Sequence, residues 1–282
     1  MEKLTGHGNG PVVVMDSGLG GLSVLARLAM TAPDLPLVYY ADTHYAPYGD
    51  KTVEEVRRRV DHVTRHLMKT APRLLLLACN TATSAAAHHL RQQLSIPVVG
   101  MEPALKPAVM ETDPMTVMVA ATPLTLSEHK FSRLLTRVSA HHRIIPLPCP
   151  GLVDRIEKEG PGSPAVYGHV RELLNPYRHE RIHRLVLGCT HYVLIRNVFQ
   201  QVLGEGTLLV DGNEGTVRQT LRLLGERENR QESHRLILRT SSPEKTAREQ
   251  MHQVLAWVMG ELSQDETTWN ERIHIEEEEE WR

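Results

Sequence analysis

The chain has 282 residues, 41 % of them apolar but only 4 % aromatic, so it can bury a large core that is mainly aliphatic. A formal net charge of −2 leaves no electrostatic footprint for nucleic acid. No apolar run approaches the roughly 18 residues of a membrane helix, "MEKLTGHGNGP" lacks the apolar segment of a signal peptide, and three cysteines read as reduced thiols; a cytoplasmic location is expected.

In chain order, "PVVVMDSG" (11–18) reads as a strand and "GLSVLARLAM" (21–30) as the helix after it. "LPLVYYAD" (35–42) is a second strand. From Val53, the residues Val56, Val60, Val63 and Leu67 share one helical face, and Arg57, Arg58 and Arg59 read as its solvated side. "RLLLLAC" (73–79) is a third strand, followed by an alanine-rich helix, and "IPVVGM" (96–101) a fourth. The pattern then restarts. "TVMVAAT" (116–122) precedes a polar helix through about Val138; "RIIPLPCP" (143–150), "RLVLGC" (184–189) and "TLLVDG" (207–212) are further strands with helical segments between and after them. Ser242 with Pro243 marks a helix start, and Met251, Val254, Leu255, Val258 and Leu262 give that helix a buried stripe. The acidic segment 266–282 reads as a flexible tail.

Short, continuously apolar strands alternating with helices predict an α/β fold with parallel sheets covered on both faces. The two halves rhyme: "LLLLACNT" is the third strand of the first and "LVLGCTH" the third strand of the second. Two similar doubly wound domains are therefore expected, facing each other across a cleft. The domain division is 1–98 completed by 212–265, and 99–211. Ligands of open α/β sheets bind beyond the carboxyl ends of the strands, which is where Cys79 and Cys189 fall.

A thiol at a helix start meets unpaired N–H groups and the positive end of the helix dipole, which favour a thiolate. An isolated buried cysteine is more often a small hydrophobe, and Cys149, between prolines, reads that way. Two cysteines in matching positions, each followed by polar residues, invite chemistry. Metal binding through Cys189, His191 and Cys79 lacks a supporting Cys-x-x-Cys or His-x-x-x-His pair. Acyl transfer by one Cys–His pair leaves the other thiol unexplained. Proton transfer on both faces of one carbon uses both.

"DSGLGGLS" offers Gly18 and Gly20 as the first glycines of a dinucleotide fingerprint, with Asp42 about 20 residues on. Ser23 stands where the third glycine belongs, and Asp16 would repel a pyrophosphate. Gly18, Gly20 and Gly21 instead let backbone amides approach a carboxylate at a helix start.

Together "DSGLGGLSV" (16–24), "ADTHYAPYGDK" (41–51), "ACNTAT" (78–83) and "GCTHY" (188–192) resemble the glutamate racemases; "VVGMEPALKPA" (98–108), "AATPLT" (120–125) and "CPGLVDRIEKEG" (149–160) resemble that family's intervening segments, in order, over about residues 11–262. The resemblance implies a cofactor-independent enzyme that interconverts L- and D-glutamate and supplies D-glutamate for peptidoglycan. It implies Cys79 and Cys189 as the two bases, on the D and L faces respectively in the family's usual assignment. Asp16 would assist the first and His191 the second. Asp16, Ser17, Pro47, Tyr48, Gly49, Asn80, Thr81, Thr122, Thr190 and His191 would hold the substrate. No metal and no cofactor are implied; the expected partner is a second copy in a homodimer, with no membrane and no direct nucleic acid binding. Other outcomes left open are an aspartate or broad-specificity amino-acid racemase, and a member with an added protein-binding role that inhibits DNA gyrase. The sequence departs from the family's pattern at Val193, commonly proline; at Gly212, commonly serine; and through "TLSEHKF" (125–131).

Overall fold

The computed structural model describes residues 10–110, 113–138, 141–225 and 236–262. The acidic segment 266–282 lies outside the described residues.

Among the described residues, nine strands form two parallel sheets. The first holds β1 (Val12–Asp16), β2 (Leu37–Ala41), β3 (Leu74–Leu77), β4 (Val98–Gly100) and β9 (Leu236–Thr240), in the order β4-β3-β1-β2-β9. The second holds β5 (Thr116–Ala121), β6 (Arg143–Pro148), β7 (Arg184–Leu187) and β8 (Leu208–Val210), in the order β6-β5-β7-β8. Read from the other edge, the second sheet repeats the first: β8-β7-β5-β6 corresponds to β4-β3-β1-β2. The two-domain α/β reading is the observed architecture, and Cys79 and Cys189 follow equivalent strands, β3 and β7.

The strands are runs such as "VVVMD" and "LLLL", in which every residue is buried. Burial on both faces is what parallel sheets under helices require. Each large aliphatic side chain so buried contributes about 1.5–3 kcal/mol at most. β6 carries Pro146 and Pro148 because it is an edge strand, where a missing N–H is tolerated. Helix Val53–Leu67 begins with a reciprocal cap: Thr52 Oγ1 accepts the Glu55 N–H at 3.3 Å while Glu55 Oε2 accepts the Thr52 N–H at 2.9 Å. Its expected stripe of Val56, Val60, Val63 and Leu67 is buried.

Four details differ from the sequence reading. The polar helix after β5 is two helices, Pro123–Ser127 and His129–Val138, separated by the extended Glu128. The C-terminal helix begins at Lys245, not at Ser242; Ser242 Oγ instead accepts the Glu244 N–H in a turn just before it. Its Met251, Leu255 and Val258 are buried as expected, together with Met259. "LILRT" (236–240), not singled out as a strand, supplies β9. And while Arg57 and Arg58 are exposed, Arg59 folds inward onto Asp42.

Candidate active site

β1 ends at Asp16 and the chain turns through Ser17–Gly21 into the helix Leu22–Thr31. Asp16 is fully buried; Oδ1 accepts the Gly18 N–H at 2.7 Å, and Oδ2 accepts the Thr190 hydroxyl at 3.1 Å. Burial raises its pKa, opposed by the charge of His191 and by these two hydrogen bonds. Thr190 belongs to the other sheet's side of the molecule, so this carboxylate stitches the lobes together. Gly20 is needed at the same seam: a Cβ there would lie 2.5 Å from His191 N and from Thr190 Oγ1.

Cys79 caps the helix Asn80–Gln93, its Sγ accepting the Ala82 N–H at 3.4 Å and lying 3.5 Å from Ser17 Oγ. The expectation of a thiol acidified by the helix start fails here. Burial pushes Cys79 up to about 12, the charge of Asp16 adds to this, and the Ser17 and Ala82 hydrogen bonds only partly offset it. The charge of Cys189 also acts on Cys79, so the two sulfurs share one electrostatic environment.

Cys189 caps the short helix Thr190–Leu194. His191 Nδ1 lies 4.0 Å from its Sγ, at the outer limit for a hydrogen bond to sulfur, and Nε2 lies 2.7 Å from Glu157 Oε1. Burial works against the charged imidazole, but the hydrogen bonds to Cys189 and Glu157, with their negative charges, hold its pKa well above the usual range. Glu157, on helix Leu152–Glu159, also accepts the Leu19 N–H of the opposite lobe at 3.1 Å. Sequence reading missed Glu157 as a site residue; inside "DRIEKE" nothing local separates it from a solvated acid.

Around the thiols, Thr81, Thr122 and Thr125 form a buried cluster of hydroxyls across the lobes, with Thr81 Oγ1 3.0 Å from Thr122 Oγ1 and Thr122 Oγ1 donating to Thr125 Oγ1 at 2.9 Å. Gly49 presses on the same place: a Cβ would meet Thr122 Cγ2 at 2.7 Å. Asn80 is buried, and its Oδ1 has no hydrogen-bond partner among the described residues. Pro47 is half-buried after a cis peptide. Tyr48 is buried beside Cys79's core neighbours, and its hydroxyl donates to Asp42 Oδ2 at 2.6 Å. Asp42, the acid a dinucleotide site would need, is thereby committed to Tyr48 and Arg59. Cys149 is buried, pushed up to about 12 by that burial, and its carbonyl accepts the Tyr192 hydroxyl at 3.2 Å. Among the described residues no three His, Cys, Asp or Glu side chains gather as a metal site.

The arrangement thus offers two buried thiols on opposite lobes, one beside a buried carboxylate and one beside a charged imidazole, with the hydroxyls of Thr81, Thr122 and Thr190 at the seam where the lobes meet. Both cysteines are only 6 % exposed.

Residues 12–220 match the Asp/Glu/hydantoin racemase family. A glutamate racemase of Clostridium perfringens is 44 % identical over 226 residues, covering 80 % of this chain and 87 % of that protein. One from Ectopseudomonas mendocina is 42 % identical, covering 77 % of this chain and 83 % of that protein. Among solved structures, a glutamate racemase isoform of Bacillus anthracis superimposes with a TM-score of 0.79 at 26 % identity, over 98 % of this chain and 99 % of that one. The Escherichia coli glutamate racemase, solved with L-glutamate and the activator UDP-MurNAc-Ala, gives 0.77 at 30 % identity, over 88 % of this chain and 95 % of that one. The chain belongs to the Asp/Glu/hydantoin racemase family and, within it, to the glutamate racemases.

Proposed function

We propose that this protein interconverts L- and D-glutamate with Cys79 and Cys189 as the two acid–base groups and no bound cofactor, supplying D-glutamate for peptidoglycan. The observation that carries the reading is the placement of these two thiols after equivalent strands of the two lobes, each at a helix start, with the seam beside them closed by the hydrogen bond from Thr190 to Asp16.

With L-glutamate the thiolate of Cys189 takes the Cα proton, the C–H bonding pair passes into the α-carboxylate, and the thiol of Cys79 returns a proton to the opposite face. The enzyme is left with the reverse protonation and is ready for D-glutamate. Cys79, pushed up to about 12, holds its proton at neutral pH, as the donor of this direction must. His191, held cationic between Cys189 and Glu157, offsets charge at the other sulfur. Hydroxyls and amides aimed at the substrate stabilise the developing carbanion because they are already oriented. Asn80 Oδ1, an unpartnered acceptor, suits the ammonium group; Ser17, Thr81, Thr122 and Thr190 hydroxyls, with Gly49 and the turn at Pro47 and Tyr48, suit the carboxylates. The division of this enzyme into lobes 1–98 with 212–265, and 99–211, is supported by β9 pairing with β2 and β8 with β7, with the first boundary moved past β4, whose Val99 and Gly100 pair with β3. On the family's pattern it works in the cytoplasm as a homodimer, which sedimentation of the purified chain tests.

The decisive experiment incubates the purified protein with L-glutamate in deuterated water without additives. D-glutamate carrying deuterium at Cα is expected, and Cys79→Ala or Cys189→Ala abolishes its formation. Racemisation at the wild-type rate in both variants would overturn the mechanism.

A further inference from the structure

The segment 43–51, between β2 and the helix Val53–Leu67, is a strap that leaves the first lobe and reaches the second. It is tied at its start by Thr43 Oγ1 to Thr240 Oγ1 at 2.6 Å and by the His44 N–H to Ser241 Oγ at 3.0 Å. Its far end lays Gly49 against Thr122 across the seam. Between them, Asp42 is fully buried at the carboxyl end of β2, its N–H donating to the Asp16 carbonyl at 2.9 Å. Its carboxylate accepts three donors: Tyr48 Oη at 2.6 Å, Arg59 Nε at 2.7 Å and Arg59 Nη2 at 2.6 Å. The guanidinium also lies 5.1 Å from the centroid of Tyr45, and Lys51 Nζ lies 4.8 Å from the same ring. Tyr45 in turn meets Tyr48 edge-on, centroids 6.3 Å apart.

A surface ion pair would do little, but this carboxylate is out of water, and a buried charge needs partners with good geometry. The planar fork of arginine supplies two hydrogen bonds and a stacking face at once; lysine cannot. Through Asp42 the fork fixes the Tyr48 hydroxyl, and through Tyr45 it fixes the ring against which Tyr48 packs. The equivalent strand of the second lobe, β6, runs instead through Cys149 into the helix Leu152–Glu159. The strap is thus an addition to the repeated scaffold, and its Tyr48 packs in the same core cluster as Cys79.

We propose that the Asp42–Arg59 pair is a positioning device that holds the strap, through Tyr48, in the conformation that binds substrate beside Cys79. This rests on the racemase reading. Arg59 touches no reacting atom; its loss leaves the thiols in place and loosens one wall of the site. The cost then falls on substrate binding more than on proton transfer, and it falls equally on both enantiomers.

The test measures kcat and KM for L- and D-glutamate, with thermal unfolding, in wild type, Arg59→Met, Arg59→Lys, Tyr48→Phe and the Tyr48→Phe/Arg59→Met double variant. Loss of charge-assisted hydrogen bonds of this kind is expected to raise KM about tenfold in Arg59→Met, with kcat changed by less than about threefold. Arg59→Lys recovers part of the affinity. Because both groups act through Asp42, the double variant is no worse than the poorer single one. The proposal is overturned if folded Arg59→Met keeps the wild-type KM, if only kcat falls, or if the two losses multiply. Should Arg59→Met not fold, Asp42→Asn carries the same test: it keeps the side chain's size, removes the charge that needs Arg59, and must raise KM alike. Wild type that fails to racemise glutamate refutes the racemase reading, a result separate from all of these.

Discussion

Gly20 gives the sharpest test of lobe closure. Adding a Cβ there puts a carbon 2.5 Å from His191 N and Thr190 Oγ1 and 2.6 Å from His191 Nδ1. The first of these is backbone and cannot swing away. Overpacking of this degree costs about 1–3 kcal/mol. The clash exists only when the lobes meet, because all three atoms belong to the partner lobe. The cost therefore falls on closure and should lower kcat/KM by about 5- to 150-fold. Global stability should hold or rise slightly, since alanine restricts the unfolded chain by about 0.4–1 kcal/mol relative to glycine. L- and D-glutamate have equal free energies in water, so kcat/KM must fall by the same factor in both directions. The assay is racemisation followed by circular dichroism or a coupled enzyme, beside a thermal melt. A Gly20→Ala enzyme with wild-type kcat/KM, or one whose melting temperature falls far enough to account for the lost activity, would refute the closure argument.

Each single cysteine variant should retain solvent exchange of the Cα proton for one enantiomer only, a different one in each variant; NMR in deuterated water reads this. Glu157→Gln removes the negative charge that helps raise the His191 pKa and leaves at most a neutral acceptor, so the alkaline limb of kcat/KM should move to lower pH; an unmoved limb counts against the pairing. The same raised pKa means the folded state holds the His191 proton more tightly than the unfolded chain. The resulting stability is full below about pH 6.5 and is lost as pH rises through the folded value, and denaturant melts at several pH values should show this decline shrinking in Glu157→Gln. Cys79 likewise keeps its proton in the fold up to about 12, against 9.0 ordinarily, so stability present below pH 9 drains away above it, and Cys79→Ala should flatten that alkaline loss. Thr52→Ala removes the cap of helix Val53–Leu67 and should cost about 1 kcal/mol in a melt.

What could be read from the sequence was what is written in short-range pattern. Apolar runs closed by glycine or a polar residue gave the strands, and the matching positions of Cys79 and Cys189 gave the doubled architecture, because both depend on local order along the chain. β9 was missed because "LILRT" has one apolar run of three residues and ends on the polar pair Arg239 and Thr240, with no helix signal directly before it. Glu157 and Arg59 were missed for a different reason. Each is one charge among several on a helix, and only the fold decides which charge turns inward. The thiol pKa was misjudged because the helix-start effect is local and legible, whereas the burial that overrides it belongs to two lobes meeting.

That override gives the repeated scaffold its chemical asymmetry. The strand ends of the two lobes correspond in pairs: Cys79 with Cys189, the turn at Asp16 with the turn at Thr122, Asp42 with Cys149. A strictly symmetric pair of thiols would carry equal charge and repel each other across the substrate. Here one sulfur sits near a buried carboxylate and keeps its proton, while the other faces an imidazolium backed by Glu157. In the proposed mechanism, unlike neighbours let one thiol donate while the other accepts, and the next turnover in the opposite direction needs only that the proton has changed sides. Exchanging those neighbours should therefore trap the protonation state without disturbing the fold. In Asp16→Asn the carboxylate no longer raises Cys79. If the asymmetry matters, kcat should fall while the melt stays within about 1 kcal/mol of wild type, since the amide oxygen can still accept the Gly18 N–H while the amide NH2 donates to the Thr190 hydroxyl, which reverses its role. Unchanged kcat in Asp16→Asn would mean that burial alone sets the two thiols apart.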